Sequence, residues 1–247
     1  MSDTAVRATI LTGHGINADR ELGTAFSSAG AVADFLHVND LIENPGLLDN
    51  SDILAFPGGF SFGDHIGSGT ILAHIVRNHL RPALEAYLAR GKLVIGICNG
   101  FQTLTKMGLL PNRDGSWRNE VSLIHNQNGR FIDAWVGLRI NRENPSPWLS
   151  DLDDFDCPIR HGEGQFIPAP HLGADFPEEL IAFRYQTNPN GSFRDIAGIT
   201  DVSGQVLGMM PHPEAFIIAE QHPRRRENRS AEGLRIFENA VKYSARR

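Results

Sequence analysis

Short apolar runs alternate with helix-period stretches through the first half of this chain. Ala8-Thr9-Ile10-Leu11 reads as a strand, Arg20 to Ala29 as a helix closed by Gly30, and Phe35–Val38 and Ile53–Phe56 as further strands. Between Ser68 and Ala89, Leu72, Val76, Leu80, Leu84 and Leu88 form one stripe of a helix that Gly91 ends, with Pro82 expected to kink or split it. Leu93, Val94, Ile95 and Ile97 make the run typical of a strand covered on both faces. A helix follows from Asn99, with Phe101, Leu104 and Leu109 apolar and Gly108 and Pro111 as stop signals. Such alternation predicts an α/β fold with a parallel sheet and right-handed crossovers. From Val121 to Met210 the period changes to two. Ile132, Ala134, Val136, Leu138 and Ile140 alternate, and Phe183–Tyr185, Ile196–Ile199 and Val206–Met209 read as more strands. A last helix is expected over Glu232–Tyr243, with Leu234, Phe237 and Val241 on one face. With no repeat or low-complexity tract, residues 1–247 read as one domain.

Bulk properties remove several function classes. A net charge of −6 argues against a nucleic-acid or anionic-membrane partner. Two cysteines cannot build a disulfide framework, which suits a reducing compartment, and Cys157 reads as a buried structural thiol. Met1 to Arg7 has no apolar signal core and no stretch reaches membrane-span length, so a cytoplasmic location is expected. The 10 histidines fall into no H-E-x-x-H or C-x-x-C pattern, and His74 with His79 suits no standard site, so no metal is expected. No G-x-x-x-x-G-K-[ST] occurs, and Gly13-x-Gly15 is too little for a nucleotide site. Arg224-Arg225-Arg226 with Arg229 is a basic cluster on an acidic chain, either a solvated loop or a docking patch.

Three segments carry chemistry. Gly96-x-Cys98-x-Gly100 lies between the predicted strand and helix and is the thiol form of the G-x-S-x-G nucleophile elbow. A lone cysteine beside an apolar strand is ordinarily a small hydrophobe. At an elbow apex, a helix N-terminus would instead favour its thiolate, and the Asn99 N–H would point where an oxyanion forms. His212-Pro213-Glu214 follows the Val206–Met209 strand. In extended chain, residues two apart leave on one face, so Glu214 can hold the His212 imidazole in one tautomer. Pro57-Gly58-Gly59 follows the Ile53–Phe56 strand, where bare backbone lets N–H groups approach a ligand, and Gly59 is the natural second oxyanion donor. Cys98, His212 and Glu214 in that order form a candidate thiol acyl-transfer triad.

Together these motifs resemble the class I (triad) glutamine amidotransferases. The segments Pro57–Asp64, Gly96–Gln102, His161-Gly162-Glu163-Gly164, Asn188–Ser192 and Met209–Glu214 are most similar to the branch that serves phosphoribosylformylglycinamidine synthase, with likeness from Ile10 to about Tyr243. The resemblance implies a flavodoxin-like open, mostly parallel sheet with helices on both faces and extra strands in the C-terminal half. It also implies glutamine as substrate, bound by Gly58, Gln102, His161, Gly162 and Glu163. It implies no cofactor in this chain and a synthetase partner that uses ATP and Mg, in assemblies with or without a small accessory subunit. A glutaminase serving another synthetase, or a non-catalytic protein on the same fold, are the alternatives. Three departures stand out. The family often has a basic residue near Gly67 and an arginine where Ala215 follows the triad glutamate, and Phe216 to Arg226 is unlike its commonest version.

Overall fold

The computed structural model describes residues 5–224 and 230–247. Eleven strands and five α-helices occur among them: β1 (Arg7–Thr12), α1 (Asp19–Ser28), β2 (Val32–His37), α2 (Val38–Glu43), β3 (Ile53–Phe56), α3 (Thr70–Ala89), β4 (Leu93–Ile97) and α4 (Asn99–Lys106) in the first half. The second half adds β5 (Val121–His125), β6 (Ile132–Ile140), β7 (Phe155–His161), β8 (Glu163–Pro168), β9 (Ile181–Tyr185), β10 (Ile196–Thr200), β11 (Val206–Met209) and α5 (Glu232–Ser244). A nine-stranded sheet runs in the order β2-β1-β3-β4-β11-β10-β9-β6-β7, and β5 pairs with β8 in a separate ribbon.

The first five strands of that order are parallel, so β11 takes the fifth place of a flavodoxin-like 2-1-3-4-5 sheet. Its strands are short and apolar because both faces are covered: β3 and β4 are buried at every position. Helix α1 packs against α5, with Phe26 and Phe237 edge to face, while α3 packs against α4. The remaining four strands are antiparallel. Register shifts between β9 and β10 bend this block. It curls back far enough for Pro158 of β7, last in the order, to accept the His212 N–H just beyond β11 at 2.8 Å.

Most predicted elements lie within a few residues of their expected places. Val38 does not extend the second strand. It starts α2, because the His37 ring nitrogen caps the Asn39 N–H at 3.2 Å. Pro82 does not split α3, which runs unbroken through it. The proline is on the exposed side, and the buried stripe from Leu72 to Leu84 holds the helix together. That stripe ends on Tyr87 rather than Leu88. Strands β5, β7 and β8 have no counterpart in the sequence reading, and Gly162 is the single residue between β7 and β8, which belong to different sheets.

Candidate active site

Because β3, β4 and β11 are adjacent and parallel, their C-terminal ends share one edge. The three segments that follow them hold Gly58-Gly59, Cys98 and His212 with Glu214. Cys98 has φ 52° and ψ −105°, a backbone that side-chain-bearing residues rarely adopt, as expected of an elbow apex. The glycines two positions either side are sterically required. A Cβ on Gly100 would overlap the Phe56 carbonyl, and one on Gly96 would lie 2.6 Å from Leu104 Cδ1. The Cys98 N–H donates to Met209 O at 2.8 Å, tying the apex to β11, and the thiol donates to the Arg160 carbonyl at 3.6 Å.

A Cβ on Gly58 would sit 2.9 Å from His212 Cε1 and 3.6 Å from Cys98 Cβ, so imidazole and thiol flank the same bare backbone. His212 Nδ1 meets Glu214 Oε1 at 2.6 Å. The Arg160 guanidinium is also 3.3 Å from that nitrogen. Nδ1 cannot both donate to the carboxylate and accept from the guanidinium, and the shorter carboxylate contact places the proton on Nδ1. Nε2 is then left toward Cys98, with no other partner among the described residues. Burial by itself would lower the His212 pKa, but the Glu214 carboxylate and the Cys98 thiol outweigh it and raise it to about 10. Neither the Gly59 nor the Asn99 N–H finds an acceptor among the described residues. Gly59, with φ 146°, adopts a backbone conformation that favours glycine, and it lines the cavity over Cys98.

That cavity, of about 180 Å³, is also lined by Gln102, His161, Gly162 and Glu163, which meet Cys98 and His212 there, while Gly58 lies against His212 and is not among the lining residues. Gln102 reaches it from α4, His161 from the end of β7, and Gly162 and Glu163 from the junction of β7 with β8. His161 is buried with Nδ1 3.0 Å from Asn126 Oδ1, and burial, reinforced by nearby His212, pushes its pKa down to about 4. Asn126 also accepts the Gly164 N–H at 3.1 Å and donates to the Arg130 and His161 carbonyls. Asn190 and Ser192 of the Asn188–Ser192 motif brace the strand behind, through Gly164 O and the Phe166 N–H. Glu163 accepts the Ser68 N–H at 3.2 Å, and its carbonyl accepts from Gln102 Nε2. Sequence reading overlooked Asn126, Arg160, Glu21 and Phe131. Only Arg160 had a signal, its place beside the His-Gly-Glu-Gly block.

The departures have spatial counterparts. A Cβ at Gly67 would lie 3.1 Å from Lys106 Nζ, so α4 supplies an ammonium beside that position. Past Ala215, Phe216 and His222 meet Trp135 of β6 edge to face, and His222 Nε2 is 3.1 Å from Asp156 Oδ2. Arg224 pairs with Asp156 at 2.8 Å, while Arg225, Arg226 and Arg229 of the basic cluster lie outside the described residues. Cys157 is fully buried, and burial raises its thiol well above the usual range. Among the described residues no helix is long and apolar enough to cross a membrane, and no group of His, Cys, Asp and Glu is placed to hold a metal ion.

Comparison with known proteins places this architecture. Residues 5–244 match the family described as the CobB/CobQ-like glutamine amidotransferase domain. The chain is 37% identical to the phosphoribosylformylglycinamidine synthase subunit PurQ of Dehalococcoides mccartyi, over 97% of this chain and 98% of that one. It is 39% identical to the PurQ subunit of Cereibacter sphaeroides, over 94% and 96%. Among solved structures it is similar to a chain of PurLQS from Thermotoga maritima, with TM-score 0.78, 30% identity and coverage of 97% and 99%. A Thermotoga maritima glutamine amidotransferase at 16% identity and TM-score 0.59 shares the fold. With its elbow cysteine and His-Glu pair on adjoining strand ends, this chain belongs to the class I glutamine amidotransferases, in the PurQ family.

Proposed function

We propose that this chain is the glutaminase subunit of phosphoribosylformylglycinamidine synthase, releasing ammonia for an ATP-dependent synthetase that aminates formylglycinamide ribonucleotide. The observation that carries the chemistry is the 2.6 Å His212–Glu214 contact, made in the 3₁₀ turn Pro213–Ala215 and not in extended chain, just past β11, the strand beside the one that delivers Cys98. His212 takes the Cys98 proton, and the thiolate adds to the glutamine side-chain amide carbon. The Gly59 and Asn99 N–H groups face the oxygen as it gains charge. His212 then returns a proton to the leaving nitrogen, the C–N bond breaks, and ammonia departs from a glutamyl thioester. Water adds to the thioester carbon, expelling the thiolate and giving glutamate. Gly58, Gln102, His161, Gly162 and Glu163 form the glutamine pocket in this reading.

ATP and Mg belong to the synthetase in this reading, and the chain itself uses no cofactor. Support for a covering partner comes from Phe60 and Phe131, which line the cavity and are 51% and 55% exposed, leaving apolar surface at its mouth. Both cysteines are free, which fits a cytoplasmic enzyme. The test is glutamine-dependent formation of formylglycinamidine ribonucleotide on mixing the chain with the synthetase, the accessory subunit where one exists, ATP and Mg. Glutamine hydrolysis should be slow with the chain alone and accelerate in the complex. If only free ammonia, and never glutamine, supports amination in the mixture, the assignment fails.

A further inference from the structure

The side chain next to the nucleophile is buried and fully committed. Asn99 is 1% exposed, and its Oδ1 accepts the Ser61 N–H at 3.1 Å. Its Nδ2 donates to Asp64 Oδ1 and Oδ2 at 3.2 and 3.3 Å, and to Gln102 Oε1 at 3.0 Å. Gln102 in turn donates from Nε2 to the Glu163 carbonyl. A primary amide is nearly symmetric in shape, so only its neighbours decide which end is oxygen. Three neighbours here have fixed polarity. The Ser61 N–H can only donate, the Glu163 carbonyl can only accept, and the Asp64 carboxylate accepts from the Gly69 N–H as well. Together they leave one arrangement for both amides.

Asp64 is held for this purpose at a backbone cost. It has φ 52°, and Phe62, Gly63, Gly67 and Gly69 around it are also at positive φ, so the segment depends on outside contacts to keep its shape. Asn99 supplies contacts at residues 61 and 64, and Glu163 supplies one at residue 68. Asp64, Gln102 and Glu163 all line the cavity over Cys98. We propose that Asp64 and Asn99 are positioning residues in an orientation relay. The Asp64 carboxylate, with the Ser61 N–H, sets the direction of the Asn99 amide, and Asn99, with the Glu163 carbonyl, sets that of Gln102, so that Gln102 offers the cavity an N–H and not a carbonyl. The group that needs such a donor is the α-carboxylate of glutamine, which only accepts, and to this extent the relay rests on the glutaminase reading.

The test uses Asp64→Asn, Asn99→Asp and the double variant, each measured in the complex with the synthetase. Asp64→Asn removes the one side chain among the three groups of fixed polarity, without touching Cys98 or the Asn99 backbone. KM for glutamine should rise about tenfold, the equivalent of one hydrogen bond, with kcat changed less. Inactivation by iodoacetamide, which has no amino-acid end, should keep its rate. Asn99→Asp sets two carboxylates against each other and should lower both melting temperature and glutamine affinity. In the double variant the repulsion is gone and melting should recover. KM should stay raised, because the acceptor-only group now at position 99 turns Gln102 round against the Glu163 carbonyl. Recovery of KM together with melting temperature would show a packing role and overturn the relay. So would unchanged KM in Asp64→Asn when the wild-type complex hydrolyses glutamine. A wild-type complex that never binds or hydrolyses glutamine would remove both the relay and the glutaminase reading.

Discussion

The parallel and antiparallel blocks build the two walls of one cavity by different means. On the parallel side the backbone makes the site: a strained cysteine at a strand end, bare glycines packed against it, and the main-chain N–H groups of Gly59 and Asn99 with no acceptor among the described residues. On the antiparallel side, buried side-chain amides do the work, with Asn126 and Asn190 holding His161 and Gly164 in place. Backbone devices leave local sequence motifs, since only glycine fits where a Cβ would overlap a carbonyl. Amide networks leave almost none, since an asparagine in a loop has many ordinary uses.

The sharpest break between the walls should come from the triad. Cys98→Ala should abolish glutamine hydrolysis with melting temperature unchanged, and a glutamine-like electrophile should label Cys98 and not Cys157. His212→Ala should cost on the order of 10⁴-fold or more in kcat, and Glu214→Ala less, because the carboxylate orients while the imidazole moves protons. Full activity in Cys98→Ala, or labelling at Cys157, would refute the assignment.

A smaller contrast separates stability from binding. Gly100→Ala forces a Cβ onto the Phe56 carbonyl and should destabilise the fold by about 3 kcal/mol, measured from the denaturant midpoint. Asn126→Ala should raise KM for glutamine about tenfold with a more modest loss of stability, as His161 and Gly164 lose their common acceptor. If the two variants lose stability and affinity in the same proportion, the division of labour is wrong.

The finest test is pH, because the two histidines act in opposite directions. His161 has a folded pKa of about 4, below its unfolded value near 6.5. Its support is therefore complete above pH 6.5 and falls as the pH drops towards 4, by on the order of 3 kcal/mol. His212 is raised to about 10, so its support is complete below pH 6.5 and is lost as the pH rises towards 10. Melting curves from pH 4 to 10 should show His161→Gln relieving the acid limb and His212→Gln relieving the alkaline one. Identical pH profiles for wild type and both variants would dismiss this account.

The chain's own pattern determined the parallel block and the chemistry at its strand ends. Apolar runs, helical stripes and glycine positions are local consequences of burial and backbone sterics, so Gly58-Gly59, Cys98 and His212-Pro213-Glu214 were legible one segment at a time. Tertiary structure alone decided how they meet. Strand β11 pairs with β4 although more than a hundred residues separate them, and no local term encodes that distance. The same holds for the curl that brings Arg160, His161 and Glu163 over Cys98, and for the asparagines behind them. Their positions follow from satisfying buried hydrogen bonds once the two sheets have packed, a condition that exists only in the folded chain.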